Sequence, residues 1–333
     1  MKPILHRRRT LRDVAKAAGV SLSTASNALN ATGRVNRQTR ETVLQIATEI
    51  GFMPNALARG LLSRRSFTIG MLTNDTYGRL TLPMMAGVSE SLVDHGISVF
   101  LCATNNDPRR AQLHLQALLA RQVDGIIITG TRRDLTPAVE LSGLPVPVVY
   151  AFAEGPAQTI SFVPDDAHGA RLAVEHLRSL GRSRIVHITG PMDYLAARIR
   201  AAAYRQICGD ASEVRYGAWT EEWGYEATQA IFSRAGDRPD AIFCGSDEIA
   251  RGVIDALRDL ELSVPGDVAI AGYDNWEVIA RQTRPPLTTV DMELKEVGRR
   301  AGLAMLALTR GEEIAPGVVE LPCRLVIGRS CGG

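Results

Sequence analysis

Long apolar runs are missing from the 333-residue sequence, and none reaches the roughly 18 residues that a membrane-spanning helix needs. The first ten residues, MKPILHRRRT, are basic, but no apolar stretch of the kind found in secretory signals follows them. These two absences predict a protein with no membrane attachment and no secretory signal. We therefore expect it in the cytoplasm.

The residues that usually build disulfides, metal sites and catalytic centres are also sparse. The five cysteines form no CxxC pair, and the six histidines have no HExxH or zinc-finger spacing. The sequence has neither a GxxxxGKS/T phosphate loop nor a GxGxxG after a strand. These patterns favour free thiols in or near the core over disulfides. We expect no metal, no cofactor and no enzymatic activity.

Positive charge is scarce in the chain as a whole but concentrated at one end. The formal net charge is only +2, yet residues 1–66 hold twelve Lys and Arg against three Asp and Glu. This end therefore carries +9, and the rest of the chain carries −7. A small, strongly basic unit of this kind is typical of a segment that binds the phosphate backbone of nucleic acid.

Two short helices are predicted within the stretch TLRDVAKAAGVSLSTASNALN. Thr10 and Asp13 have the spacing of a capping box. Apolar residues recur from Leu11 at the spacing of one helix face. Gly19 permits the turn that ends this helix, and Ser21 is a suitable N-cap for the next.

A third helix is predicted to begin near Asn36, to bury Val43, Ile46, Ala47 and Ile50, and to end at Gly51. Two helices joined by a tight turn that contains glycine form a helix-turn-helix, whose second helix enters the DNA major groove. A helical bundle of another use is the alternative, and the local charge argues against it.

Residues 54–66, PNALARGLLSRRS, predict a fourth, mostly apolar helix. It is too short to be stable alone in water and needs a partner helix, DNA or both. A leucine in this segment could wedge between base steps in the minor groove. A simple interdomain linker is the alternative, because its arginines suit either role.

From residue 67 onward the pattern alternates between short apolar strands and helices. The first set of strands is predicted at 67–73, 97–104, 124–130 and 146–152, and the second at 184–190, 241–246 and 268–274. The intervening helices are predicted near 84–95, 107–121, 169–180, 195–209, 223–235 and 247–259. This alternation predicts two similar α/β halves with parallel sheets. Ligands of such sheets bind at the carboxyl ends of the strands.

Nearly the whole chain, from about residue 10 to about residue 330, resembles the lac/galactose/purine repressor family of bacterial transcription regulators. The residues that carry the resemblance are TLRDVAKAAGVS, the following T.S.ALN and TR..V…A.E.GF.PN..AR.L. The resemblance implies that Leu22, Ser23 and Asn27 read bases, and Asn27 could pair with adenine. It also implies a hinge helix at 55–62 with Leu61 as the intercalating residue. The predicted DNA-contact set is Thr10, Ser21, Leu22, Ser23, Thr24, Ser26, Asn27, Asn30, Asn55, Ala58 and Leu61.

The resemblance implies a fold with an N-terminal all-α helix-turn-helix head and an α/β periplasmic-binding-protein-like core of two doubly wound parallel-sheet lobes. The implied domains are a head at 1–53, a hinge and linker at 54–66, a first lobe at 67–163 plus 293–323, and a second lobe at 164–290 plus 324–333. The chain would cross between the lobes near 162–164, 290–293 and 322–324.

The resemblance also places a small-molecule effector between the lobes, with Arg200 and Asp274 binding it and Trp219 stacking on it. A carboxylate accepts hydrogen bonds from vicinal hydroxyls, a guanidinium donates in a fixed fork, and an indole covers the apolar face of a ring. Trp219 as core and Asp247 as a helix N-cap are the structural alternatives. The predicted effector set is Asn74, Asp75, Thr129, Phe152, Arg200, Trp219, Ser246, Asp247 and Asp274.

The expected function is that of a ligand-responsive repressor that binds a pseudo-palindromic operator in double-stranded DNA and is associated with the nucleoid. A sugar or sugar derivative is the first choice of effector and a nucleobase the second. The sequence ends at LVIGRSCGG without leucine heptads, which predicts a homodimer. A sugar-binding protein of transport or chemotaxis, or an enzyme built on the α/β core, are the alternatives. The former would need a secretory signal and no basic head.

Overall fold

The computed structural model describes residues 9–30, 32–52, 65–134, 137–234, 236 and 238–332. The hinge positions Asn55, Ala58 and Leu61 lie outside the described residues. The chain divides into two compact units, residues 1–67 and residues 68–333. No helix among the described residues is both long and apolar enough to cross a membrane.

The described part of the first unit, residues 9–30, 32–52 and 65–67, contains three helices: α1 (Leu11–Ala17), α2 (Leu22–Leu29) and α3 (Arg37–Glu49). The predicted capping box is present, since Thr10 and Asp13 exchange hydrogen bonds at the start of α1. Ser21 caps α2 by accepting from the Thr24 amide at 3.1 Å, and Asn36 caps α3 in the same way. Side-chain caps therefore fix where all three helices begin.

Small apolar residues form the core of this first unit. Its buried members are Val14, Ala15, Ala25, Ala28, Val43 and Ala47. Ile46 and Ile50, which the helical pattern placed in the core, are only half-buried. Because alanines occupy most of the contact, the helices can approach closely, but the apolar area that holds them together is small.

The first sheet of the second unit has six strands, all parallel, in the order β11-β5-β4-β3-β1-β2. The strands are β1 (Thr68–Thr73), β2 (Ser98–Ala103), β3 (Gly125–Thr129), β4 (Val148–Ala151), β5 (Ile160–Pro164) and β11 (Gly317–Leu321). Its helices are α4 (Thr81–Val93), α5 (Pro108–Ala120) and α11 (Leu294–Thr309).

Helices α4 and α11 approach each other unusually closely. A Cβ atom on Gly87 would lie 1.9 Å from the carbonyl oxygen of Lys295, and one on Gly298 would lie 1.9 Å from that of Met84. Only glycine fits at both positions. The C-terminal part of the chain is therefore built into the first lobe.

The second sheet also has six strands, in the order β12-β10-β9-β8-β6-β7. The strands are β6 (Ile185–Thr189), β7 (Val214–Tyr216), β8 (Ala241–Cys244), β9 (Ala269–Tyr273), β10 (Thr288–Asp291) and β12 (Arg324–Val326). Its helices are α6 (Asp166–Ser179), α7 (Leu195–Cys208), α8 (Glu221–Phe232), α9 (Asp247–Asp259) and the short α10 (Glu277–Ala280).

The structure corrects the expectation of purely parallel sheets, because β12 pairs with β10 in the antiparallel direction. This short edge strand follows the last lobe crossing, where the chain returns beside β10. The elements that were not predicted from the sequence are β5, β7, β10, β11, β12, α10 and α11. The predicted domain boundaries remain predictions, although β11 lies in the first sheet and β12 in the second.

His187 on β6 is fully buried and predicts how the stability of the core depends on pH. It stacks on Phe243 with 4.4 Å between ring centroids, and its Nδ1–H donates to the Phe243 carbonyl at 2.9 Å. Burial lowers the pKa of His187 from 6.5 to about 3, despite that hydrogen bond. Its neutral form stabilises the fold above pH 6.5, and that contribution is lost as pH falls toward 3.

We therefore expect His187 alone to make the core about 1 kcal/mol less stable at pH 5.5 than at pH 7.5. In His187→Phe, the free energy of unfolding in urea should depend on pH correspondingly less than in the wild type. Equal pH dependence in the two proteins would show that His187 does not resist protonation.

Candidate functional site

Helix α2 presents the predicted base-reading residues at the surface of the first unit. Leu22 is 45% exposed and Ser23 is exposed, whereas Asn27 is half-buried. The hydroxyl of the capping residue Ser21 lies 2.9 Å from that of Ser23 and 2.8 Å from that of Thr24. An exposed leucine beside short polar side chains is suited to a contact surface rather than to solvation.

The loop after α2 restrains the Asn27 side chain. Its Oδ1 accepts from the Thr32 hydroxyl at 3.3 Å, and a Cβ on Gly33 would lie 2.8 Å from its Nδ2. One turn further along α2, the Asn30 side-chain amide donates to Ser26 at 3.4 Å. Asn27 is therefore held in place, and we expect its orientation to be set before any DNA contact.

In the second unit, a cavity of about 780 Å³ lies between the two lobes and is called the interlobe cavity below. Residues from both lobes line it. Six of the nine predicted effector residues are among them: Asp75, Phe152, Arg200, Trp219, Ser246 and Asp274. The volume falls within the range of small-molecule sites.

Arg200 is the most buried charged group in the cavity wall, with 3% of its surface exposed. Its Nε donates to Asp166 at 2.9 Å, its Nη1 donates to the Gly245 carbonyl at 2.6 Å, and its guanidinium lies 3.6 Å from the Tyr273 ring centroid. Burial alone would lower the pKa of Arg200, but Asp166, Tyr273 and Asp274 outweigh it and raise it. Arg200 is therefore permanently charged and rigidly held.

Asp274 stands at the end of β9 with a strained backbone. Its φ is 106°, a region that residues other than glycine rarely adopt, while its amide donates to the Val290 carbonyl at 2.8 Å. Burial raises the pKa of Asp274, with Arg79 and Arg200 acting in the opposite direction. Strain of about 1–3 kcal/mol is tolerated mainly at functional sites, so this backbone is consistent with the predicted role of Asp274, which stays a prediction.

Arg79 reaches Asp274 from the opposite lobe, and sequence reasoning missed it. Its Nη2 pairs with Asp274, its Nη1 lies 2.5 Å from Glu248, and its guanidinium lies 4.6 Å from the Trp276 ring centroid. Arg79 lies several residues beyond the end of β1, whereas the strand-end rule draws attention only to the first residues after a strand. No sequence signal distinguished this arginine from a surface one.

Arg132 makes a second set of contacts between the lobes and was also missed. It donates to the Asp193 carbonyl at 2.8 Å and to the Asp134 side chain, and it lies 4.0 Å from the Tyr194 ring centroid. The neighbouring Arg133 lies 3.7 Å from Asp166. Because Asp166 also binds Arg200, one buried carboxylate joins arginines of both lobes.

Aromatic and apolar side chains complete the wall. The Trp219 indole packs on Gly190, where an added Cβ would lie 2.1 Å from the ring. The rings of Trp219 and Tyr194 meet edge to face, with 5.9 Å between their centroids. Trp219 is half-buried, whereas Phe152 and Met292 are buried, and all three line the cavity. The wall therefore offers charged groups that accept and donate hydrogen bonds beside flat apolar faces.

The structure does not bring Asn74 and Thr129 to the interlobe cavity. The Asn74 amide donates to Asn106 at 2.8 Å inside the first lobe, and the Thr129 hydroxyl contacts the Met84 sulfur at 3.5 Å. Asp75 does line the cavity, but its carboxylate accepts from three amides of its own loop. In this structure the Asp75 carboxylate therefore stabilises the conformation of that loop.

Asp247 also lies outside the cavity lining, and its interpretation as an N-cap is wrong. Ser246 caps α9, accepting from the Ile249 amide at 3.2 Å. Asp247 is fully buried and accepts from the Trp276 amide at 2.7 Å and the Thr289 hydroxyl at 2.6 Å. Burial, followed by Asp274, raises its pKa well above the usual value. Asp247 therefore fixes the loop that carries Asp274.

The sequence contains one GxSxG motif, at residues 328–332, a pattern that in some hydrolases carries a nucleophilic serine. Its serine, Ser330, is fully buried; the hydroxyl donates to the Ile270 carbonyl at 2.5 Å and accepts from the Thr288 amide. These contacts tie the C-terminal segment to the second sheet. Among the described residues, no cluster of three potential metal ligands was found.

Two family models match the chain. That for the bacterial regulatory proteins of the lacI family matches residues 10–55, and that for the periplasmic binding protein-like domain matches residues 174–331. The ribose operon repressor of Escherichia coli (strain K12) is 34% identical over 303 residues, which cover 88% of this chain and 90% of that protein. The HTH-type transcriptional repressor PurR of Haemophilus influenzae (strain PittEE) is 32% identical over 299 residues, covering 88% of each.

A solved structure of the lac repressor dimer bound to operator and the anti-inducer ONPF is similar over both units. It has a TM-score of 0.77 and 28% identity, and the match covers 98% of this chain and 99% of that one. A ligand-responsive, DNA-binding repressor is defined by the combination of a helix-turn-helix unit with a two-lobed core that has a cavity between its lobes. The chain belongs to the lacI family of bacterial regulatory proteins.

Proposed function

We propose that this protein represses a carbohydrate-related operon and that a sugar or sugar derivative in the interlobe cavity controls its affinity for operator DNA. The observation that carries the proposal is the pairing of a buried, fixed guanidinium with a strained carboxylate beside an indole face, namely Arg200, Asp274 and Trp219. This set can bind hydroxyls and cover the ring that bears them. No catalytic role is assigned to any of these groups.

The same proposal includes a homodimer on a pseudo-palindromic operator, acting on chromosomal DNA in the cytoplasm. A helix-turn-helix head reads one half-site, so a two-fold operator calls for two heads. The lac repressor structure that this chain resembles is a dimer bound to its operator. To shift occupancy from mostly bound to mostly free, the effector must favour one state by about 5 kcal/mol.

A thermal-shift screen of sugars, sugar acids and purines, followed by operator titration with each stabilising compound, tests the function. We expect at least one compound to raise the melting temperature of the core and to change operator affinity without being chemically altered. A stabilising compound that never changes DNA binding would favour the alternative of a sugar-binding protein for transport or chemotaxis. Turnover of the compound would favour an enzyme.

Operator binding should weaken steeply as salt increases, because the +9 end of the chain displaces counterions from phosphates. With about six neutralised phosphates, affinity should fall by about 10³-fold between 50 and 200 mM salt. Filter binding or fluorescence anisotropy at four salt concentrations gives the slope. A slope near zero would contradict a phosphate-binding role for this end.

A further inference from the structure

The contacts of Arg79 point to a way in which ligand binding in the interlobe cavity is regulated. This inference rests on the function proposed above. Its guanidinium lies between the carboxylates of Asp274 and Glu248 and over the face of Trp276, all from the opposite lobe. Two carboxylates with an aromatic face form a recognised arrangement for binding a cation. A side chain of the protein itself therefore uses acceptor atoms in the cavity wall.

The loop between β1 and α4 holds Arg79 firmly in this position. Asp75 accepts hydrogen bonds from the amides of Gly78, Leu80 and Thr81, at 2.9 to 3.0 Å, which closes the loop on both sides of Arg79. The Arg79 side chain is only about one-fifth exposed. A guanidinium presented by a closed loop loses little freedom when it binds, so its contacts compete effectively with those of a ligand.

The acceptor atoms of Asp274 are limited. One carboxylate oxygen pairs with Arg79, and the other lies 3.8 Å from Arg200. A pair of vicinal hydroxyls bound in a fork donates to both oxygens of one carboxylate. The ligand and Arg79 therefore meet at the same oxygen of Asp274, and the Arg79 guanidinium lines the cavity beside that oxygen, where a ligand hydroxyl would enter.

We propose that Arg79 is an internal competitor of the effector, which occupies the subsite formed by Asp274, Glu248 and Trp276 and must leave it when the effector binds. With competition of this kind, the apparent effector affinity equals the intrinsic affinity multiplied by the fraction of molecules in which the subsite is free. Arg79 thus sets the effector concentration at which the protein responds, and selects ligands with enough donors to replace a guanidinium.

The first test needs no knowledge of the effector, because methylguanidinium can take the place of the missing side chain. In full-length Arg79→Ala, tryptophan fluorescence should respond saturably to methylguanidinium at constant ionic strength, with half-saturation at about 1 mM. Wild type and Arg281→Ala, which loses an exposed arginine from the lobe that carries Trp276, should show no saturable response. Trp276→Phe in the Arg79→Ala background should remove the signal.

The second test uses a compound that the screen has shown to alter operator affinity of the wild type. Its half-maximal concentration should be about tenfold lower for Arg79→Ala, as expected if the subsite is free in about one-tenth of wild-type molecules. Arg79→Gln, which keeps the aliphatic stem, should behave in the same way, and near-UV circular dichroism of both variants checks the fold.

Absence of a saturable methylguanidinium response in Arg79→Ala and Arg79→Gln would overturn the proposal. An unchanged or higher half-maximal effector concentration would also overturn it, because Arg79 would then be a bystander or a direct effector contact. If no compound alters operator affinity of either wild type or Arg79→Ala, the proposed function fails instead. The methylguanidinium titration still decides the role of Arg79 in that case.

Discussion

Asp274→Ala should bind operator DNA like the wild type but should no longer respond to effector. Asp274 supplies a buried carboxylate to the interlobe cavity, and its strained backbone is held by the hydrogen bond to Val290. Losing hydrogen bonds to a charged group costs about 3 kcal/mol, so effector affinity should fall by about 100-fold. Operator titration with and without effector measures the response, and isothermal calorimetry measures the affinity directly.

The rest of the network should tolerate this substitution. Arg79 keeps Glu248, and Arg200 keeps Asp166, so neither arginine is left without a carboxylate. Asp255→Ala, which removes an exposed carboxylate from α9, is the matched control and should respond normally. An effector dose response in Asp274→Ala that matches the control would remove this residue from the site. Asp274→Asn, which keeps the shape, separates loss of charge from loss of packing.

Val14→Asp should abolish specific operator binding while leaving the second unit, residues 68–333, folded. Val14 is fully buried among the small apolar residues that join the three helices of the first unit. An unpaired carboxylate at that position costs several kcal/mol, which exceeds the stability that so small a core can supply. We expect operator affinity to fall by at least about 10³-fold, to the level of non-specific binding.

The control is Gln45→Asp, which adds the same charge at an exposed position of α3. It should lower operator affinity only a few-fold, because it alters charge without unfolding the unit. The melting temperature of the core and effector-induced stabilisation should be unchanged in both variants, since residues 68–333 form a separate compact unit. A cooperative loss of core stability in Val14→Asp would contradict that independence.

The head could be predicted almost entirely from local sequence. The starts of the three helices could be predicted from their capping residues, because capping is a contact between residues near each other in the chain. These residues are Thr10 with Asp13, Ser21 and Asn36. The wrong details are Ile46 and Ile50, whose burial depends on how far the helices wrap around one another. Local patterns do not contain that information.

The cavity could be predicted only in part. Asp274, Ser246 and Phe152 lie one or two residues after the end of a strand, so they are found by the rule that ligands bind at strand ends. Arg79, Arg132 and Arg133 lie in loops, and their long side chains contact residues of the opposite lobe that are 33 to 195 positions away. Such contacts depend on how the two lobes meet, which one sequence does not reveal. The same rule misplaced Asn74 and Thr129, whose side chains turn into their own lobe.

The edge strands were missed for a related reason. β7 and β12 are only three residues long, and β11 alternates between partly exposed and exposed positions along most of its length. Too few apolar residues remain in each to distinguish a strand from a loop. Their partners in the sheets, not their own composition, make them strands.

The route of the chain through the first lobe has a consequence for synthesis in the cell. That lobe contains β1 to β5 but is closed by α11 and β11, which come about 150 residues later. At a bacterial elongation rate of about 5–20 residues per second, an incomplete sheet waits about 8 to 30 s on the ribosome. During this interval the edge of β5 lacks its neighbour, and Gly87 lacks the helix that packs against it. An unpaired edge of this kind can pair with another chain, so nascent repressor should depend on chaperones until β11 emerges.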